Sequence, residues 1–168
     1  ILSGGIYGDI WKLLENRSYE FAVAKSRKWQ EHFGDNYYLE MQIIHGKESS
    51  VYQNIMNVAI HTKIPIVATH PIQFPAKNDF EAHEVRVCIA RNEKLNDSSR
   101  KVLFGKDQYF TSKEEMINSF AKIPSAIINA VEISKRCNLE FTIGKYFLPE
   151  FHVPSGYTEN NYFKEITY

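Results

Sequence analysis

Apolar positions recur along the chain at two alternating periods. Ile1-Leu2, ahead of Ser3-Gly4-Gly5, reads as a short buried strand entering a turn. Past Gly8 and Asp9, Ile10 to Leu14 has the spacing of a short helix. Ser18 is placed to cap a longer helix whose face is Tyr19, Ala22, Val23, Ser26, Gln30 and Phe33, with Gly34 where the helix should stop. Tyr37 to Ile44 then alternates, which is the period of a strand. Tyr37, Leu39, Met41 and Ile43 fall on one side, and Tyr38, Glu40, Gln42 and Ile44 on the other. Ser49 or Ser50 caps a helix with the face Val51, Ile55, Val58, Ala59 and Thr62. Pro65-Ile66-Val67-Ala68-Thr69 is continuously apolar, the character of a buried parallel strand. His70 to Pro75 is a Pro-bounded loop.

Asp79 can cap the next helix, with Ala82, Val85, Arg86 and Ile89 predicted on its inner face. Arg91 to Asp107 is polar and irregular. Ser112-Lys113-Glu114-Glu115 is a capping box, after which Met116 and Phe120 face inward. Pro124 suits a first helical turn. Ile127, Ala130, Val131 and Ser134 follow on one face, and Cys137-Asn138 ends that helix. Strand and helix in alternation predict an α/β fold of parallel βα units. From Leu139 the pattern dissolves. Phe141, Tyr146, Phe147, Phe151, Tyr157, Tyr162 and Phe163 are scattered among Gly, Pro and Asn, as in an extended linker or the start of another domain.

Composition narrows the class. With 168 residues, 43% hydrophobic and 24% charged, the chain can bury a core. Twenty basic residues balance twenty acidic ones, which argues against gripping nucleic acid by bulk charge. Two cysteines, Cys88 and Cys137, are too few for a disulfide scaffold or zinc knuckle and read as reduced thiols in a cytoplasmic protein. No apolar run approaches the roughly 20 residues of a membrane helix. The chain opens on Ile1 and shows no natural stop after Phe163, so the expectation is a piece of a longer polypeptide.

Several residues could carry chemistry, and each has a plain structural reading beside it. Gly4-Gly5-Ile6-Tyr7-Gly8 could cradle a phosphate, but it matches neither the dinucleotide fingerprint nor the P-loop, and a tight βα turn needs such glycines anyway. His70 lies just past a strand, where α/β folds place ligands, yet Pro71 and Gln73 are no ligands and no metal spacing links His45 or His83 to it. His83, between Glu81 and Glu84, could be a general acid or base with a raised pKa, or an ordinary paired histidine. Glu40 and Gln42 could line a barrel mouth, form a buried hydrogen-bonded pair, or sit on a solvated edge. Lys25, Arg27 and Lys28 beside Trp29 suit a phosphate patch or a solvated helix face. Cys88, in Val85-Arg86-Val87-Cys88-Ile89, is a buried inert thiol by default. The residues alone therefore describe a partial parallel α/β domain without a self-sufficient active site.

An ordered set of motifs goes further. Ile1-Leu2-Ser3-Gly4-Gly5 to Gly8-Asp9, Tyr38-Leu39-Glu40-Met41-Gln42, Pro65-Ile66-Val67-Ala68-Thr69-His70-Pro71-Ile72-Gln73-Phe74 and Asp79-Phe80-Glu81-Ala82-His83-Glu84-Val85-Arg86 occur in that order. Gln108-Tyr109-Phe110, Ile123-Pro124-Ser125-Ala126, Glu132-Ile133-Ser134-Lys135-Arg136-Cys137-Asn138 and Phe147-Leu148-Pro149-Glu150-Phe151 follow. Together they resemble the bacterial replicative DNA polymerase III α subunits. The resemblance implies that 1–138 is the second half of a PHP domain, a distorted (β/α)7 barrel, and that 139–168 is the linker and start of the polymerase palm. It implies metal ligands in an Asp-x-His pattern where this chain has Pro71 and Gln73, and in some members a Cys where it has Gly5. The implied metal site is therefore degenerate, with His70 a lone neighbour and no catalytic, cofactor-binding or metal residue in the chain.

The resemblance also implies template-directed DNA synthesis by the parent chain, with Mg²⁺ held by palm carboxylates downstream of Tyr168. The segment itself is expected to be inactive and to dock the proofreading exonuclease subunit, with DNA bound by other domains and no membrane contact. A free-standing PHP-type phosphoesterase and an interaction module are the alternatives. Exposed edges of a truncated barrel would favour self-association.

Overall fold

Two strands lie in parallel where the alternating and continuous apolar runs predict them. β1 (Leu39–Gln42) pairs with β2 (Ile66–Thr69) in the register Leu39↔Ile66 to Gln42↔Thr69. These come from a computed structural model, which describes residues 1–44 and 49–168. The chain divides into two units, Ile1–Cys137 and Asn138–Tyr168. The first is α/β.

The expected strand at Ile1-Leu2 is reduced to one parallel bridge, Leu2↔Tyr38, with Ile1 and Leu2 exposed and Tyr38 buried. A single bridge cannot bury both faces of so short a segment. The glycine turn that follows is structural. Gly4 and Gly5 have φ of +85° and +51°, and a Cβ on Gly8 would stand 1.8 Å from the Ser3 carbonyl oxygen.

α1 (Asp9–Glu15) and α2 (Tyr19–Phe33) come next. Ala22, Val23 and Ser26 bury the face predicted for α2, and Gly34 ends it with φ +53°. Ser18 occupies the N-cap position, but its side chain makes no cap bond and donates instead to the Asn16 carbonyl at 3.4 Å. α3 (Ser49–Thr62) buries Val51, Ile55, Val58 and Thr62 as predicted, but Ser49 and Ser50, the predicted caps, are its first two helical residues. These helices and β1 enclose the core, which includes Ile10, Trp11, Leu14, Leu39, Met41, Ile55 and Val58. Burying such side chains stabilises by about 1.5–3 kcal/mol each.

α4 (Phe80–Arg91) is turned away from its predicted face. His83, Glu84, Val87 and Cys88 are buried, while Val85 is 41% exposed and Ile89 76%. The cause is residues 92–107. Arg100 pairs with Glu84 at 2.7 Å, and Phe104 meets the His83 ring edge-on at 5.0 Å, so the polar side of the helix is the covered side. Asp79 precedes α4, but its carboxylate accepts from the Ala76 N–H at 3.0 Å rather than capping the helix.

α5 (Lys113–Ser119) begins with the predicted capping box. The Glu115 N–H donates to Ser112 Oγ at 3.2 Å, and the Ser112 N–H donates to Glu115 Oε2 at 2.7 Å. Phe120 is buried just beyond it. α6 (Pro124–Arg136) has Pro124 in its first turn, but its buried side is set by Ala126, Ile127, Asn129 and Ala130. Val131 and Ser134 are exposed. Asn129 Nδ2 donates to the Ile66 carbonyl at 2.7 Å, and that bond fixes the rotation of α6 against β2.

In the second unit, 138–158 carries no helix or strand, and α7 (Glu159–Thr167) follows. The sequence pattern predicts no helix there. Its signal is local: Thr158 Oγ1 accepts from the Asn161 N–H at 3.3 Å. Tyr162 stacks on Phe151 and meets Tyr157 edge-on. Among the described residues no helix is long and apolar enough to cross a membrane.

Candidate functional site at the strand ends

Strand alternation puts Glu40 and Gln42 on one face of β1, and the parallel register brings Thr69 alongside. The three side chains bond to one another. Gln42 Nε2 donates to Glu40 Oε1 and to Thr69 Oγ1, each at 3.1 Å, and the Thr69 hydroxyl donates to the same Glu40 oxygen. Gln42 Oε1 accepts from the Ile6 N–H at 3.1 Å, and Ser3 Oγ accepts from the Glu40 N–H at 2.8 Å. Of the three readings of Glu40 and Gln42, the hydrogen-bonded pair is the one observed, extended to Thr69, Ser3 and the glycine turn. A Cβ on Gly5 would lie 2.4 Å from the Gln42 amide, so the turn and the amide occupy one space. Where β1 ends, the Tyr52 hydroxyl accepts from the Ile44 N–H and donates to its carbonyl, both at 3.0 Å.

The loop after β2 is knitted to residues 105–110. His70 Nε2 lies 2.9 Å from the Asp107 carbonyl, so that nitrogen carries its proton and donates. Gln108, 3% exposed, donates through Nε2 to the Pro71 carbonyl at 3.1 Å. Its own carbonyl accepts from the Gln73 N–H at 2.8 Å, and Phe74 bridges Tyr109 in parallel. Pro71 and Gln73 thus hold backbone positions in an extra pairing. Among the described residues no three His, Cys, Asp or Glu side chains come together in a metal-holding group, and His45 lies outside those residues.

The remaining candidates fall elsewhere. His83 sits between Phe74 and Phe104, at 5.2 and 5.0 Å between ring centroids. Burial chiefly, and then Arg86, push its pKa down, against the smaller opposing pull of Glu84, so the expected rise is reversed. Trp29 Nε1 donates to Asp9 Oδ2 at 3.0 Å, and Lys25 stands 3.6 Å from the same oxygen and 5.4 Å above the Trp29 ring. That cluster is tied to its own acid, with Arg27 and Lys28 on the exposed face of α2. Cys88 is buried and Cys137 exposed, both as thiols. Sequence reasoning missed Ser3, Thr69, Gln108 and Arg100. Each acts through a partner far along the chain, which no local spacing announces.

No protein-family model matches the chain. It is 39% identical over 168 residues to DNA polymerase III subunit alpha of Neisseria meningitidis serogroup A, which covers 99% of this chain and 15% of that protein. The corresponding protein of Pseudomonas fluorescens is 37% identical over 170 residues, covering 100% of this chain and 14% of its own length. That of Escherichia coli K12 is 39% identical over 158 residues, 93% of this chain and 13% of the protein. The chain therefore spans about 15% of the length of the curated relatives it matches, and it is homologous from end to end to one segment of DNA polymerase III subunit alpha.

Proposed function

We propose that this chain is a non-catalytic scaffold segment of a replicative DNA polymerase. Residues 1–138 form the second half of a PHP domain, part of a distorted (β/α)7 barrel, and 139–168 lead into the palm. The whole-length similarity to DNA polymerase III subunit alpha carries this reading. The parent polypeptide performs template-directed DNA synthesis in the cytoplasm, with Mg²⁺ in its palm, and other domains hold the DNA. Its partner at this segment is the proofreading exonuclease subunit.

The scaffold role is supported by the chemistry at the strand ends. A divalent cation needs several convergent lone pairs from carboxylate, imidazole or thiolate. Here His70 spends Nε2 as a donor to Asp107, and Glu40 already accepts from Thr69 and Gln42. Pro71 and Gln73 supply no carboxylate, imidazole or thiolate. The residues present do not fit a metal, so no hydrolytic step is assigned to them.

The test uses the polypeptide encoded by the uninterrupted reading frame that contains these residues. It should extend a primed template with deoxynucleotides and Mg²⁺, bind the exonuclease subunit, and release no phosphate from ester substrates with Mn²⁺ or Zn²⁺. Failure to extend the primer would overturn the polymerase reading. Chelator-sensitive phosphate release would overturn the scaffold reading and favour a phosphoesterase.

A further inference from the structure

We infer that residues 92–107 form a hinged cover over the inner face of α4, clasped by the Glu84–Arg100 ion pair. Its opening exposes Cys88 and the cleft beyond the strand ends while the core of the first unit stays folded. The segment carries no helix or strand. Irregular runs longer than about 12–15 residues in a compact unit are commonly lids or binding loops.

Both ends are anchored. At one, Asn92 has φ +54° and the Glu93 N–H donates to the Cys88 carbonyl at 2.9 Å. At the other, Gln108 is buried and bonded to Pro71 and Gln73, and its Oε1 accepts from the Gly105 N–H at 2.7 Å. Between these ends the hold is sparse. Leu95, Val102 and Leu103 are 38%, 55% and 43% exposed, so they bury little apolar surface. The segment's side-chain attachments include the contact of Phe104 with His83, Lys106 Nζ 5.7 Å above the Phe80 ring, and the ion pair, whose Arg100 and Glu84 side chains are 8% and 5% exposed.

The closed state also carries a cost. His83 Nε2, Glu84 Oε1, Glu93 Oε2 and Arg100 Nη1 are buried with no hydrogen-bond partner. Buried polar atoms left unpaired disfavour the state that buries them, and opening returns them to water. Segments with few buried apolar contacts open locally, below the free energy of global unfolding. Cys88, 4% exposed on the covered face of α4, reports that opening. The cover also lines a cleft through Val102, Leu103 and Phe104, opposite the glycine turn and α1 residues Ile6, Tyr7 and Trp11 that share the lining. Movement of the cover therefore gates that cleft.

The experiment is labelling of Cys88 by a maleimide in the full chain carrying Cys137→Ser, across low urea concentrations. A local opening exposes little surface, so the labelling rate should stay nearly flat in urea before rising with global unfolding. Arg100→Ala, which leaves Glu84 buried without its cation, should speed labelling at least about tenfold, more than it shifts the global transition. A labelling rate that rises from zero urea with the full slope of global unfolding would overturn the cover. So would an Arg100→Ala effect no larger than the loss of global stability. Should that variant fail to fold, the urea dependence of the Cys137→Ser chain decides the question alone.

Discussion

Gly5 stands at φ +51°, and a Cβ there would meet the Gln42 amide at 2.4 Å. Both faults act in the folded state, since alanine must enter a left-handed conformation and displace an amide that holds the Ile6 N–H. Gly5→Ala is expected to cost about 1–3 kcal/mol, read as a lower urea midpoint; an unchanged midpoint would refute the shared-space argument. His83 sets a pH dependence. Its ordinary pKa is 6.5, and burial lowers it in the folded chain. Above the ordinary value both states are neutral and stability is level. As pH falls through it, the unfolded chain takes up a proton that the folded one refuses. Stability then declines until the lower folded value is reached. His83→Gln should flatten that decline, as seen in urea midpoints between about pH 7 and 5; a decline retained in full would move its origin to another histidine.

At the scale of elements, local signals translate directly. The Ser112–Glu115 box was legible because both its bonds lie within four residues, and Ser112→Ala should cost about 1 kcal/mol, detectable as a lower thermal midpoint of the first unit. The strands were legible too, since Tyr37 to Ile44 alternates and Pro65 to Thr69 is continuously apolar. The rotations of α4 and α6 were not. The apolar stripe Ala82, Val85, Ile89 predicts an inner face that is in fact turned outward, because Arg100 and Phe104 cover the opposite side. Asn129 turns α6 by reaching Ile66, 63 residues away. In the candidate site, Glu40 and Gln42 were visible as a pair, but Thr69 and Ser3 joined them only through the parallel register and the Leu2 bridge. Periodicity ranks faces by hydrophobicity and is blind to a polar group that brings its own distant partner.

At the scale of the molecule, the hydrophobic core among the described residues is drawn from the first unit, and its last member is Ile127. A chain ending at Cys137 should therefore unfold at the same urea concentration as the full chain. A midpoint lowered by more than the fitting error would mean that 138–168 supports that core.

The Asn129 bond has a further consequence for how the sheet could extend. The Pro65 carbonyl points to β1, where it accepts from the Leu39 N–H, so the next carbonyl, Ile66, points to the outer edge. Asn129 fills that position, and α6 lies along the strand. The opposite margin is Ile1–Ser3, where the Ser3 N–H and Ile1 carbonyl serve Tyr38 and Leu2 turns its own amide and carbonyl outward. A strand added at the β2 edge would have to displace Asn129 from that carbonyl, so the contact that sets the rotation of α6 also opposes pairing there.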